Sequence, residues 1–336
     1  MGTRMIRDSA RKRNSRKTQA KAVAVPGDLP KIPIATHSFD ERYLYAFATQ
    51  GEVIQHLRTQ ALKEDRDSLP EVMEAWNRVQ GVVVELVQRE AGMAETIRVA
   101  PIPDAYHGGL KMIGSDPLFQ RTFHDLPFTF EILEIDKLIA AQRTVHLGYV
   151  DRLLAAFPKS PNLADLIDIC LSPKRKMDPI QHLEVGPNTH VFSSPNSDLR
   201  FLGSFVKDLA PDDMSFASNG GLPAAAIITF IGYGGAPINV LKAGNRIVLN
   251  NGFHRVFALR SLGVTEIPVL VQHVHNPQLE FPRVVAGLPM QYLLQEPRPA
   301  LMKDFFEPDF AITLRVQERI RLVTVGVNTA QHDVPS

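Results

Sequence analysis

The stretch that decides the fold is Ala236-Pro-Ile-Asn-Val-Leu-Lys242, Ala243-Gly-Asn245, Arg246-Ile-Val-Leu249, Asn250-Asn-Gly-Phe-His-Arg255, Val256-Phe-Ala-Leu-Arg-Ser-Leu-Gly263 and, after three residues, Ile267-Pro-Val-Leu-Val271. Two short β-rich runs are joined by Gly244-Asn245, which predicts a hairpin. A second turn at Asn250-Asn251-Gly252 opens a helix whose apolar positions Val256, Leu259 and Leu262 face inward and whose end is Gly263. A further strand leaves that helix. A strand, a glycine-containing turn and a helix N-terminus in this order make an anion site. Unpaired N–H groups at the helix start point outward, the dipole favours negative charge, and Gly252 lets a phosphate come close to the backbone.

His254 and Arg255 fall in the first turn of this helix, where the dipole disfavours a cation unless an anion compensates it. Two readings follow. A bound phosphate would account for both residues, with Arg255 offering a bidentate fork and His254 a donor or proton acceptor near neutral pH. Alternatively, His254 packs as a cap and Arg255 pairs with an acid such as Asp136 or Glu266.

Working outward, 336 residues with 44% hydrophobic and 22% charged residues suit one large domain or two modest ones, and exclude a wholly disordered or membrane-spanning chain. The net charge of +1 hides an asymmetry. Arg4, Arg7, Arg11, Lys12, Arg13, Arg16, Lys17 and Lys21 oppose the single Asp8 within residues 1–23, so this arm carries +7 and the remainder −6. Such an arm has almost nothing to bury; it is expected to be disordered when free and suited to nucleic-acid phosphates through residues 4–21, or else to be a solvated leader. No apolar stretch of signal-peptide length follows it. Cys170 is the single cysteine, which excludes an internal disulfide and a Cys-rich zinc site. With no run of 18 apolar residues, the expectation is a cytoplasmic protein with no membrane partner.

Composition divides the chain into a basic arm and linker over 1–37, a helical N-terminal extension over 38–112, a core over 113–276 and a C-terminal extension over 277–336. In the N-terminal extension, Ser68-Leu69-Pro70-Glu71 reads as a capping box, and Leu69, Val72, Met73, Trp76, Val79, Val83, Leu86 and Val87 form one helical face. A weaker helical pattern covers 52–64. In the core, alternation over 128–135 predicts a strand and 148–157 a helix, and closely spaced prolines mark 158–223 as a long insertion. The tail alternates apolar residues at 312–316 and 320–325, as a strand pair would. Gly232-Tyr-Gly234-Gly235 precedes a proline and a strand, which suggests a hinge beside the pocket. His182 with His190, and His273 with His275, lack a third metal ligand, so no metal site is assigned.

The motif region resembles the ParB/sulfiredoxin superfamily. Pro237-Ile238-Asn239-Val240 matches its first strand, Gly252-Phe253-His254-Arg255 its Gly-x-His-Arg turn, and Leu259-Arg-Ser-Leu-Gly263 with Ile267-Pro268-Val269 the helix end and following strand. Ile132-Leu133-Glu134-Ile135 followed by Gln142-Arg143 is similar to the family's first box. The resemblance implies an α+β fold: a small mixed sheet with helices, here with a helical N-terminal extension and a large insertion. It implies a nucleotide cofactor (ATP, ADP or CTP, with Mg2+), its phosphates on Asn251, Gly252, His254 and Arg255, with Gln142 and Arg143 approaching the same pocket. Two departures narrow the activity. Phe253 stands where sulfiredoxins carry their catalytic cysteine, and no helix-turn-helix pattern follows as in partition proteins. The expected function is a nucleotide-dependent phosphotransferase or nucleotide hydrolase, with His254 and the carboxylates Glu134, Asp136 and Asp151 as catalytic candidates. The other reading is a ParB-like DNA-binding protein or nuclease of a plasmid, phage or defence locus, and a homodimer is among the expected assemblies.

Overall fold

The computed structural model of the chain describes residues 37–172, 178–186, 188–196, 198–210 and 223–334. The basic arm and nearly all of its linker lie outside the described residues. The fold is mixed α+β, built from several sheets and the helices packed on them.

The first described strand is β1 (Ser38–Tyr43). Helix α1 (Gln50–Gln60) starts at a capping box in which Thr49 Oγ1 accepts from Glu52 N–H and Glu52 Oε2 accepts from Thr49 N–H. Helix α2 (Lys63–Asp67) runs almost directly into α3 (Leu69–Arg89). The capping box expected at Ser68 is therefore replaced: Ser68 Oγ donates back to Asp65 C=O at 2.8 Å, because a preceding helix occupies the N-terminal side. Strand β2 (Val99–Pro101), helices α4 (His107–Ser115) and α5 (Pro117–Thr122), and strands β3 (Phe128–Glu134), β4 (Ile139–Ala140) and β5 (Thr144–His146) follow. Helices α6 (Leu147–Ala156) and α7 (Leu163–Leu171) precede four strands, β6 (Gln181–Gly186), β7 (Thr189–Ser194), β8 (Arg200–Asp208) and β9 (Ala225–Gly232). The expected hairpin is β10 (Asn239–Ala243) and β11 (Arg246–Asn251), turned at Gly244 with φ +60°, and it leads into α8 (Phe253–Ser261) and β12 (Glu266–Val274). The chain then adds α9 (Pro277–Glu280), β13 (Val284–Val285), β14 (Leu288–Pro289), α10 (Met290–Gln295), β15 (Ile312–Gln317) and β16 (Arg321–Gly326).

The central sheet has the order β2-β3-β12-β10-β11-β4. Strands β10 and β12 run parallel, as do β11 and β4; the remaining pairs are antiparallel. Ile267, Val269, Leu270 and Val271 of β12 are fully buried, as the near-continuous apolar run of a strand covered on both faces requires. A second sheet, β15-β1-β5, brings residues near both ends of the described chain together, with Ser38 opposite Gln317.

Three sequence boundaries dissolve in this topology. Residues 38–112 are not purely helical, since β1 and β2 pair with strands outside that range. Within 158–223, helix α7 buries Leu166, Cys170 and Leu171 in the core rather than standing outside it. The two C-terminal runs do not pair with each other: β15 joins β1, and β16 joins β7.

A buried charge cluster fastens the C-terminal part to α3. The Arg298 side chain is wholly buried and donates to both oxygens of Asp304 at 2.7 and 2.8 Å, to Glu90 at 3.0 Å and to Pro299 C=O at 2.7 Å. Lys303 Nζ adds a 2.7 Å bond to Glu90, which begins the C-terminal cap of α3. Removing one member leaves the other charges without compensation. Arg298→Met is expected to lower stability by about 3–5 kcal/mol, measured by urea denaturation; a loss comparable to that of an exposed substitution would show that the cluster is dispensable.

Candidate functional site

The two segments marked by the resemblance meet in space because β4 pairs in parallel with β11, Ile139 opposite Val248 and Ala140 opposite Leu249. Both strands therefore run toward the same edge of the sheet. There β4 continues into Gln142-Arg143, β5 and α6, while β11 turns at Gly252 into α8. His146 N–H donates to His254 Nε2 at 3.2 Å, joining residues 108 apart in sequence. This bond links the N-cap of α6 to the first turn of α8, so two helix N-termini converge on one place.

Gly252 is required twice over. Its φ of +98° lies in the left-handed region, and a Cβ there would fall 2.7 Å from Ile238 Cγ1. No side chain caps α8. Asn251 holds the approach to the turn by donating through Nδ2 to Gly235 C=O at 2.7 Å and Pro237 C=O at 3.2 Å. Gly235 is held by packing, since a Cβ there would fall 2.6 Å from Phe123 Cζ, whereas one on Gly234 would meet the end of the Arg200 side chain.

The side chains of His254, Arg255, Gln142 and Arg143 each have a definite partner. His254 accepts from His146 and meets the Tyr149 ring edge to face, with centroids 5.2 Å apart. Arg255 donates to Ile169 C=O at 3.1 Å and Ala236 C=O at 2.5 Å. Ile169 lies in the last turn of α7, so the cation in the first turn of α8 is compensated by the negative end of another helix. Neither Asp136 nor Glu266 pairs with Arg255. Gln142 bonds to Thr144 C=O, and Arg143 pairs with Glu52 at 2.7 Å and lies over the Tyr292 ring. Arg143 Nε is buried without a hydrogen-bond partner.

Two of the three candidate carboxylates fall elsewhere. Asp136 forms a two-bond pair with Arg260 at 2.6 and 3.1 Å, in the last turn of α8 and about 10 Å along its axis from the turn. Glu134 is opposite Glu266 at the start of β12 and pairs with Lys137 at 3.2 Å. The register of β12 repeats the separation, since Asn239, opposite Asn251, lies beside Leu270, four residues or about 13 Å beyond Glu266. Asp151 is exposed on α6. The structure thus places Asn251, Gly252, His254 and Arg255 after β11 and Gln142 and Arg143 after the adjacent parallel strand β4, and leaves Glu134 and Asp136 at the other end of α8.

Sequence reading missed His146. It caps α6 by accepting the Tyr149 N–H on Nδ1 at 3.0 Å, stacks on Phe39 at 3.5 Å and supplies the N–H bound by His254. Histidine lies outside the usual Ser, Thr, Asp and Asn caps, so no local signal marked it. Burial, together with the nearby Arg152 charge, lowers its pKa from the usual 6.5. Cys170 is fully buried, which raises its thiol pKa to about 12 and leaves it inert at neutral pH. Among the described residues no cluster of three or more His, Cys, Asp or Glu could hold a metal ion, and no helix is long and apolar enough to cross a membrane.

Two outcomes are expected. Gly252→Ala should lose about 2–4 kcal/mol from left-handed strain and overpacking against Ile238, read as a lowered urea midpoint; an unchanged midpoint would mean that the turn relaxes freely. For His146, a folded pKa below the unfolded value means that its contribution is complete above pH 6.5 and fades as pH falls toward the lowered value. Wild-type melting temperature should therefore drop more steeply than that of His146→Asn, which keeps a cap without titrating, as pH is taken below 6.5. Parallel profiles would remove His146 from the account.

The chain matches no known family model, no curated protein and no solved structure.

Proposed function

We propose that the protein binds a phosphate-bearing ligand, a nucleotide, on the backbone of the turn at 252–255, and that it does so as a binding protein rather than as a phosphotransferase. The carrying observation is the convergence of two helix N-termini, α6 and α8, on the edge where parallel strands β4 and β11 end. Ligands in α/β sheets favour the carboxyl ends of parallel strands, and two N-terminal dipoles add positive potential there. The order of strand β3, Gln142-Arg143, α6, hairpin, Gly252 turn, α8 and β12 is also that implied by the resemblance to the ParB/sulfiredoxin superfamily, and it supports the finer fold reading.

The side chains assign themselves differently from the sequence expectation. Arg255 and His254 shape the turn through protein partners and Arg143 is engaged by Glu52 and the Tyr292 ring, so the backbone N–H groups at the start of α8 are the groups offered to phosphate. Phosphoryl transfer needs charge neutralisation and a base or metal ligand at the reacting group. Glu134 and Asp136, tied to Lys137 and Arg260 at the far end of α8, are too distant to serve.

A panel of ATP, ADP, CTP and inorganic phosphate, with and without Mg2+, tests this. A ligand at a hundred times its dissociation constant adds about 2.7 kcal/mol, a rise in melting temperature of about 4 °C for a chain of this size. Amide exchange should slow at residues 253–255, and no phosphate should be released. Absence of stabilisation by every ligand defeats the binding reading; steady phosphate release defeats the non-catalytic part.

A further inference from the structure

Strands β8 and β9 form a two-stranded ribbon that no other described strand joins. Its base is pinned: Ser194 Oγ and Tyr233 Oη lie 2.7 Å apart, Tyr233 Oη donates to Asp178 C=O at 2.9 Å, and Gly234 N–H donates to Asp198 at 3.0 Å. The ribbon itself is open on both faces. Phe205 opposite Ile228, stacked diagonally on Phe230, makes one face; Val206 opposite Ile227, continuing to Phe201 opposite Ile231, makes the other. Phe201 is 53% exposed, Val206 66% and Ile227 67%. A two-stranded hairpin alone is marginal in water, and one with apolar side chains on both faces is left incomplete.

The two edges differ. Strand β8 carries Arg200, Lys207 and Asp208 and is bent by a bulge between Phe201 and Gly203, where Gly203 has φ +132°. Charges and bulges of this kind blunt an edge against pairing. Strand β9, Ala225-Ala-Ile-Ile-Thr-Phe-Ile-Gly232, has no charge, no proline and no bulge over eight residues. Among the described residues no strand pairs with its outer edge.

We propose that β9 pairs antiparallel with β9 of a second copy of this chain, making a continuous four-stranded sheet β8-β9-β9-β8 across a two-fold axis. A second copy suits this edge because an uncharged strand is complementary to itself: no like charges are brought together when it meets its own image. Ile227 and Phe230 of β9 are 67% and 48% exposed, and pairing sets them beside the apolar side chains of the other copy's β9 on the two faces of the extended sheet. Pairing gives each β9 the partner its edge lacks and lets the faces of the two ribbons merge.

Sedimentation equilibrium of the full chain tests it. The wild type is expected at twice the chain mass. Ile227→Lys and Phe230→Lys, on opposite faces, should each weaken association at least about tenfold, while Val82→Lys, on an exposed position of α3, should leave it unchanged. Circular dichroism of each variant confirms folding, and β9 amides should gain exchange protection as concentration rises. A wild-type monomer up to about 100 µM overturns the proposal, as does a dimer indifferent to both ribbon variants. A monomer that sediments with phosphatidylcholine vesicles overturns it too, by giving the ribbon to a lipid surface.

Discussion

Ile238 is the point through which the core is tied. Its N–H donates to Cys170 C=O at 2.7 Å, its C=O accepts from Leu270 N–H at 3.0 Å, and its side chain lies where a Cβ on residue 252 would have to be. One wholly buried residue thus sets the end of α7, the register of β12 against β10 and the conformation of the turn that starts α8. Arg255 repeats the connection by reaching Ile169 and Ala236, the residues on either side of the same junction. Proximity of this kind leaves little freedom: α7, β10, β12 and α8 are positioned together or not at all.

That tying explains the division of labour at the turn. Side chains that sequence alone assigns to a ligand are engaged in holding the backbone that would meet it. Arg255 neutralises the carbonyl end of one helix from the first turn of another, a use that keeps a cation near a positive dipole without an external anion. His254 fixes α6 against α8. Orientation of N–H groups at a helix start is only as good as the rigidity of the helix, and here that rigidity comes from residues behind the surface.

The hairpin, α8 and β12 were legible because each carried a local signal: alternation, a glycine turn, apolar spacing and a closing Gly263 with φ +84°. Helix α3 was legible from its stripe, although its cap was not, because α2 runs into it. What escaped was non-local. β1 is short and charged, Ser38-Phe-Asp-Glu-Arg-Tyr43, and becomes a central strand only through β5 and β15. Helix α7 lay hidden among prolines. The pairing of Asp136 with Arg260 rather than Arg255 could not be read either, since the two arginines are separated by one and a half helical turns and face different ends of α8.

The position of β1 between β15 and β5 also has a temporal side. During synthesis the pairing with β5 becomes available after roughly a hundred residues, but the opposite edge stays open until β15 emerges, roughly 280 residues after Ser38. At the usual elongation rates this is about 15–55 s. For that interval the nascent chain presents an unpaired strand edge beside a half-built core, so its yield in the cell should depend on whatever shelters that edge until the ribosome has released the last strand able to close it.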